Sequence, residues 1–235
     1  MNLPFASRQR LAAIAGVATI ATAARASAKR TMNSGITAER VYAALKEQIL
    51  SGAMRPGGKL DPARLALDLM SSVTPVRDAL HRLVGERLVE SHSGGGFHLP
   101  HVTEPNLEDL YGWSGEILAL ALRRNDRPPT TLPDRLADDG LAIAYETAAL
   151  FASLASGSRN GELLSAIEGT NDRLQLARRV ELRIFDDLRA ELDDVRDTTA
   201  AGDITGLRKV LAGYHRRRRR ATAMIVRSIY RDNES

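Results

Sequence analysis

A hydroxyl, a guanidinium and an imidazole lie at short spacing between residues 74 and 81. Thr74 followed by Pro75 is typical of a helix start, because the hydroxyl caps the first turn and proline fits the first helical position. A helix that begins there places Arg77 near the positive end of the helix dipole, which favours phosphate, and within reach of base edges in a major groove. Its outward face would present Thr74, Arg77, Asp78 and His81, opposite the apolar residues Val76, Leu80, Leu83 and Val84.

Two preceding helices are predicted to position this segment. Thr37 can cap the first, which ends at Gly52, and Asp61 with Pro62 repeats the cap-and-proline signal at the start of a short second helix. The second helix, a tight turn and the helix with Arg77 would together form a helix-turn-helix, whose last helix enters the major groove. The inward faces would hold Val41, Leu45 and Ile49 in the first helix, and Leu65, Ala66 and Leu69 in the second.

Two β-capable runs, 88–90 and 97–99, surround the sequence Ser93-Gly94-Gly95-Gly96. A glycine-rich hairpin lets the backbone approach a phosphate or the minor groove closely. The glycines alone predict a plain flexible turn equally well. Because two capped short helices precede them, we favour a wing.

The pattern resembles the DNA-binding domain of the GntR family of bacterial transcription regulators. A T-P-V-R-[DE]-A-L core is the specific part of this resemblance. The residues that match are Arg55-Pro56-Gly57-Gly58-Lys59-Leu60, Leu65-Ala66, Thr74-Pro75-Val76-Arg77-Asp78-Ala79-Leu80, Arg82-Leu83 and Leu88-Val89-Glu90.

The resemblance implies a role for individual residues. Contacts to DNA would come from the turn and the recognition helix, with one further arginine near the DNA backbone and a wing tip at 92–96. Together with the outward-facing His81, the expected DNA-binding residues are Arg64, Ser72, Thr74, Arg77, His81, His92 and Gly95.

Two positions depart from the family pattern. Val73 stands where the family usually has arginine, so one phosphate or base contact is expected to be missing. Arg87 stands where the family usually has glycine, and it costs up to about 1 kcal/mol if that position needs a positive φ. These departures favour an alternative function, a dimeric ligand-binding module with lost or weakened DNA binding.

The chain after Val102 is predicted to be helical. A helix begins near Pro105 and ends before Pro128-Pro129, and its inward stripe is Leu107, Leu110, Tyr111, Ile117, Leu118 and Ala121. Further helices are expected at 138–156, 160–176, 177–199 and 204–231, with a weak break near Asn171.

This half resembles the all-helical ligand-binding domain called FCD, which accompanies many GntR regulators. The resemblance implies a small bundle that binds an organic acid, often through a metal held by one Asp and three His. The chain does not keep these residues, so no metal or other cofactor is expected. Thr147, Phe151 and Leu192 stand at or near the positions expected for ligands, and Ser114 stands where an effector-binding arginine is common.

The run from His215 to Arg220 contains five consecutive arginines. At about 100° per residue they cover every side of a helix, so at least one should face the bundle and need a partner. One interpretation pairs it with Asp186, Asp187 or Glu191. A second makes His215, Arg217 and Arg218 a metal-free clamp for a small organic anion, and a third makes the run a surface patch for DNA or another subunit.

Composition excludes several classes of function. The chain has no cysteine, which removes disulfides, thiolate zinc sites and cysteine nucleophiles. There is no nucleophile elbow and no paired-carboxylate constellation, so the protein is not expected to be an enzyme. No transmembrane helix is predicted beyond the first 31 residues, and we expect a cytoplasmic protein that does not bind membranes.

Residues 1–31 have a basic start, an apolar run and an A-x-A sequence at Ala26-Ser27-Ala28, features typical of a secretory signal. The alternatives are an upstream extension of the reading frame that precedes Met32, or a basic arm that touches DNA. A chain that begins at Met32 is expected to melt at the same temperature and to bind the same site.

The sequence therefore predicts a mainly α fold, an N-terminal winged helix-turn-helix followed by an all-α bundle. The predicted domains are a disordered extension at 1–36, a DNA-binding domain at 37–102 and an effector-binding and dimerisation domain at 103–235. We expect a homodimer that binds double-stranded operator DNA with inverted-repeat symmetry. It would act as a repressor that responds to a small-molecule effector.

Overall fold

The structure is a computed structural model that describes residues 37–92, 94, 96–123 and 132–231. Most of these residues are helical, and the described part of the chain has three short strands. The prediction of a mainly α fold is confirmed. The predicted segments 1–36 and 124–131 lie outside the described residues.

Contacts divide the chain into two compact units. In the described residues, the first unit contains 37–45 and Pro62–Leu80, and the second contains 46–61 and the chain from His81 onwards. Helices α1 (37–50) and α3 (Val73–Gly85) contribute residues to both units. The domain boundary predicted between residues 102 and 103 follows the sequence pattern and stays a prediction.

The first unit contains the start of α1, helix α2 (Pro62–Asp68) and the start of α3. An Nη2–H of Arg40 in α1 donates to the carbonyl of Leu69 at 3.1 Å, which satisfies one backbone acceptor after α2 ends. Most of the predicted apolar stripes are confirmed, whereas Ile49 and Val84 are only partly buried. The following are at most 7% exposed: Val41, Leu45, Leu65, Ala66, Leu69, Val76, Leu80 and Leu83.

Helix α3 begins at Val73, one residue before the predicted cap. The prediction that Thr74 caps the helix with Pro75 in its first position is therefore wrong. Ser72 directly precedes the helix, and Pro75 occupies its third position, where proline still costs no intrahelical hydrogen bond. Thr74 and Arg77 remain in the first two turns.

The second unit contains an antiparallel sheet of strands β1 (Lys59–Leu60), β2 (Glu90–Ser91) and β3 (Phe97–His98), in the order β1-β3-β2. Leu60 pairs with Phe97, and Glu90 pairs with His98. The predicted hairpin around the glycine run is confirmed, although β2 begins two residues later than expected. The buried Leu60 and Phe97 anchor this sheet.

The same unit contains the helices of the C-terminal half. They are α4 (Glu104–Arg123), α5 (Gly140–Ser156), α6 (Gly161–Val180), α7 (Leu188–Ala200), α8 (Ile204–Arg220) and α9 (Thr222–Arg231), with a 3₁₀ turn at Glu181–Arg183. Side-chain caps from Asp139, Asn160 and Asp203 begin α5, α6 and α8. In the described residues, no helix is long and apolar enough to cross a membrane.

Two predicted boundaries in this half are wrong. Helix α6 continues through Asn171 to Val180, because the buried Asn171 amide donates to the carbonyl of Ala148 on α5 at 2.9 Å and so makes a tertiary contact. The chain changes direction at the 3₁₀ turn instead. The last predicted helix is divided at Ala221, where the backbone N–H bonds to the carbonyl of Arg218.

The helices enclose two apolar clusters. Phe151 and Leu154 of α5 lie in the first with residues of α4, α7 and α8, and Leu174 of α6 and Ile225 of α9 lie in the second with residues of α4. The predicted stripe of α4 is confirmed except at Leu110, which is only partly buried. Its other members, Leu107, Tyr111, Ile117, Leu118 and Ala121, are all at most 1% exposed.

Candidate nucleic-acid interface

The start of α3 presents polar side chains to solvent. Ser72, Thr74 and Arg77 are exposed, whereas Val76 and Leu80 on the opposite side of the helix are fully buried. Thr74 and Arg77 are three residues apart and therefore lie on the same helix face. The predicted outward face of this helix is confirmed.

The two predicted arginines of the first unit are available to an anion. Arg64 on α2 and Arg77 on α3 are both exposed, and neither forms an ion pair within the part of the chain that the structure describes. A guanidinium without a carboxylate partner keeps its donors free for phosphate or for the acceptor edge of guanine.

The turn between α2 and α3 contains three unusual residues. Met70 has a φ of 46° and is 87% exposed, so a non-glycine residue occupies the left-handed region without burying its side chain. Ser71 has a buried hydroxyl oxygen that finds no hydrogen-bond partner among the residues the structure describes. Val73 is 37% exposed at the first position of α3, where it cannot donate to DNA. Sequence analysis found only Val73, since the backbone angle of Met70 and the burial of Ser71 are properties of the folded turn.

The second unit holds the remaining predicted DNA-binding residues. The ring of His81 meets Phe97 of β3 edge to face at a centroid distance of 5.0 Å. His92 is exposed and lies 3.7 Å from the carboxylate of Glu90, with its ring edge to face against His98. Gly95 lies outside the described residues.

Arg87 follows α3 with a φ of 60°. The position therefore does need a positive φ, the condition under which arginine is expected to cost up to about 1 kcal/mol, and glycine would adopt this conformation without strain. Its backbone N–H bonds to the carbonyl of Val84 at 3.0 Å, which closes the turn.

The bundle interior surrounds His215, one of the three predicted effector-binding residues. Its Nδ1 lies 2.7 Å from the carbonyl of Leu211, and its Nε2 lies 3.0 Å from the hydroxyl of Ser114. Because a carbonyl only accepts, Nδ1 carries the proton and Nε2 accepts from Ser114. The pKa of His215 is lowered to about 3, chiefly by burial and also by the nearby guanidinium groups of Arg178 and Arg218. The imidazole is therefore neutral at physiological pH.

The residues that stand at or near the family's ligand positions are packed around this histidine or buried elsewhere in the bundle. The ring of Phe151 lies 5.7 Å from the ring of His215, and the Thr147 hydroxyl donates to the carbonyl of Ile143 at 2.7 Å. Leu192 is 4% exposed and belongs to an apolar cluster. Among the described residues, no group of three or more His, Cys, Asp or Glu side chains converges on a common point.

Arg218 is the arginine of the run that faces inward. It is 1% exposed, and its guanidinium lies 2.8 Å from Glu181 and 2.7 Å from Glu191. Arg217 pairs with Asp187 and lies 3.6 Å from Glu191. The proposed carboxylate partners Asp187 and Glu191 are thus present, and the premise of an unpaired inward guanidinium is wrong for Arg217 and Arg218. The effector role of His215, Arg217 and Arg218 stays a prediction, while the geometry favours an ion-pair network.

Sequence analysis missed buried charges, among them Glu181 and Arg178. Glu181 accepts from Arg218 and from the hydroxyl of Tyr111, and it is 2% exposed. Arg178 is also 2% exposed and donates twice to the amide oxygen of Asn171. Both residues occur in charged stretches that look like solvated helix faces, so no local signal distinguishes them.

The described chain contains a short pair of helices, and an exposed arginine lies near the start of the second helix. A small antiparallel hairpin follows. This order of elements is that of a winged helix-turn-helix protein. Residues 37–99 match the family model described as bacterial regulatory proteins, gntR family. The N-terminal part of the chain is therefore similar to the DNA-binding domain of GntR-type bacterial regulators. Its matched relatives are transcription regulators and not enzymes.

Two curated relatives match the N-terminal part. The HTH-type transcriptional regulator McbR of Escherichia coli (strain K12) is 34% identical over 92 residues, which are 38% of this chain and 42% of McbR. The HTH-type transcriptional regulator YdhC of Bacillus subtilis (strain 168) is 27% identical over 70 residues, 30% of this chain and 31% of YdhC. The matched part thus spans less than half of either relative.

Two solved structures are similar in fold over most of the chain. A transcriptional regulator GntR from Rhodococcus sp. RHA1 has a TM-score of 0.64 at 21% identity, with 80% of this chain and 97% of that chain covered. E. coli McbR/YncC has a TM-score of 0.55 at 22% identity, with 83% and 98% covered. At these identities the likeness supports the fold, including the helical C-terminal half.

Proposed function

We propose that this protein binds double-stranded operator DNA through the start of α3 and regulates transcription. The observation that supports it is the exposed Arg77, which forms no ion pair with any described residue and lies on the same helix face as Thr74, in a part of the chain that matches the GntR model. The guanidinium would bind a guanine edge, and Thr74 and Ser72 would bind phosphate near the helix N-terminus. Asp78, exposed beside Arg77, would accept from a cytosine amino group.

The other predicted contacts complete the proposal. Arg64 would bind the DNA backbone, His81 would lie close to the groove, and His92 and Gly95 would form the wing. A homodimer would bind an inverted repeat, and a small organic anion would act as effector. Repression in the cytoplasm is the outcome we propose.

Selection of binding sites from random DNA, followed by gel shifts at several salt concentrations, tests this function. Arg77→Ala should lower affinity for the selected site by about 1–3 kcal/mol and relax the preference at one base pair. Arg64→Ala should weaken binding to all sequences alike. It should also reduce the slope of log affinity against log salt concentration by about 1, because one phosphate contact is lost. Arg227→Ala, at an exposed position of α9, is the matched control and should change neither. Equal binding by Arg77→Ala and the parent would place the recognition helix elsewhere.

A second function is favoured by the turn before α3. The strained Met70, the unpartnered hydroxyl of Ser71 and the non-donating Val73 are compatible with a dimeric ligand-binding module with lost or weakened DNA binding. The same selection discriminates the two functions, because this module would enrich no sequence. Light scattering measures the dimer in either case.

A further inference from the structure

A cleft of about 880 Å³ opens in the second unit beside the only tryptophan of the chain. This volume lies within the range of small-molecule sites, roughly 300–1,000 Å³. Trp113 of α4 is 48% exposed and lines the cleft, although tryptophan is usually mostly buried. Its other apolar walls include Leu50 of α1, Leu88 before β2, Leu110 of α4 and Leu176 of α6.

Two arginines line the same cleft, and neither has a carboxylate partner in the part of the chain that the structure describes. Arg173 of α6 donates only to its own helix, to the carbonyl of Gly169 at 3.1 Å and to the hydroxyl of Thr170 at 3.4 Å. Arg87 forms no side-chain bond within the described ranges. Both residues line this one cleft, and the positive charge of Arg87 adds to burial in lowering the pKa of Arg173.

The acidic groups of the cleft leave this positive pair uncompensated. Asp172 is held by Lys46 at 2.7 Å, and Glu90 lies 3.7 Å from His92. Asp109 is exposed on α4 and pairs with neither arginine. An anion stabilises partly buried positive charges, so the part of the cleft lined by Arg87 and Arg173 favours a negatively charged group.

We propose that this cleft binds an amphipathic organic monoanion. Its carboxylate accepts from Arg87 and Arg173, and its apolar body packs against Trp113 and the leucines of the wall. This site is separate from the interior around His215, where the side chains are packed and hydrogen-bonded. The regulatory consequence rests on the proposed function, because the bound anion would then change operator binding through the segment that leads into β2.

Octanoate and octanol, an acid and an alcohol of equal chain length, separate the charged contact from the apolar one. Emission from Trp113 reports binding directly, since no other tryptophan contributes. Octanoate should change this emission with an affinity at least about 10-fold higher than that of octanol, because only the carboxylate makes charge-assisted hydrogen bonds. Calorimetry provides a second readout that does not depend on emission.

Arg173→Gln should weaken octanoate binding by about 10-fold or more and leave octanol binding unchanged. Arg87→Asn should act in the same direction, because asparagine tolerates the positive φ of this position. Arg173→Lys keeps the charge and should bind octanoate better than Arg173→Gln. Arg227→Gln is the control of equal charge change, and circular dichroism checks that each variant folds.

Equal affinity for octanoate and octanol, or unchanged octanoate binding by both Arg173→Gln and Arg87→Asn, would refute the anion contact. Neither an emission change nor heat with either compound would refute the site. The DNA arm is measured separately, by gel shift with and without octanoate. If octanoate binds but the selection from random DNA enriches no operator, the anion site is supported and the proposed function is rejected.

Discussion

Glu181→Gln removes one carboxylate from the buried network around Arg218 while keeping the shape of the side chain. In the folded protein, Oε2 of Glu181 accepts from Nε and Nη2 of Arg218 at 2.9 and 2.8 Å, and Oε1 accepts from the hydroxyl of Tyr111. Burial raises the pKa of Tyr111, and the charge of Glu181 raises it further, so the phenol stays a donor. The variant leaves Arg218 with Glu191 as its one carboxylate partner, and Glu191 is partly exposed.

The expected cost follows from this geometry. Removal of one partner from a buried ion pair destabilises by about 3–5 kcal/mol. Because Glu191 remains, and because the glutamine oxygen can still accept from Arg218, we expect the lower end, about 3 kcal/mol. For a chain of this size that corresponds to a loss of about 6–12 °C in melting temperature.

Glu108→Gln is the matched control. Glu108 pairs with Arg219 at 2.9 Å, the same distance as in the buried pair, but both side chains are 50% exposed. An exposed ion pair contributes only about 0–1 kcal/mol, so this variant should melt close to the parent. Thermal and urea unfolding of both variants measure the difference. If Glu181→Gln is no less stable than Glu108→Gln, the network does not stabilise the bundle.

Three further predictions concern other parts of the molecule. His215 is neutral in the folded protein to about pH 3, whereas the unfolded chain protonates it near pH 6.5, so its contribution to stability is complete above pH 6.5 and is lost as the pH falls. The free energy of unfolding in urea should fall by about 2 kcal/mol between pH 7 and pH 5 in the parent protein, and by less in His215→Gln. The same pH dependence of stability in both proteins would contradict the neutral His215. Met70→Gly should stabilise the fold by roughly 0.5–1 kcal/mol, because glycine adopts the positive φ of this position without strain. The control Leu67→Gly, at a similarly exposed position inside α2, should destabilise it. A loss of stability in Met70→Gly would show that the backbone of Met70 is unstrained. Asn171→Ala should lower the free energy of unfolding by about 2–3 kcal/mol, because it removes the amide oxygen that accepts from the buried Arg178. A change below about 1 kcal/mol would mean that Arg178 finds another acceptor.

Local chemistry explains why the first unit was predictable. Asp61 with Pro62 marks the start of α2, and the spacing of Val76 and Leu80 marks the buried face of α3; both signals act within one or two helical turns. The positive φ at Arg87 was also predictable, because the family resemblance marks that position as a glycine. The starting residue of α3 was not, since Ser72 and Thr74 are both good caps two residues apart and only the folded turn chooses between them.

The sequence by itself determined the mainly α class, the helix-turn-helix with its exposed Arg77, and the inward direction of one arginine in the run 216–220. Each depends on periodicity and capping, which are short-range. Tertiary structure decided which arginine faces inward and which carboxylates meet it. Arg218 and Glu181 are 37 residues apart, and Arg178 is buried although it belongs to a charged stretch. Such partners depend on how whole helices pack, and the pairing of buried charges is settled by proximity in space that no local pattern encodes.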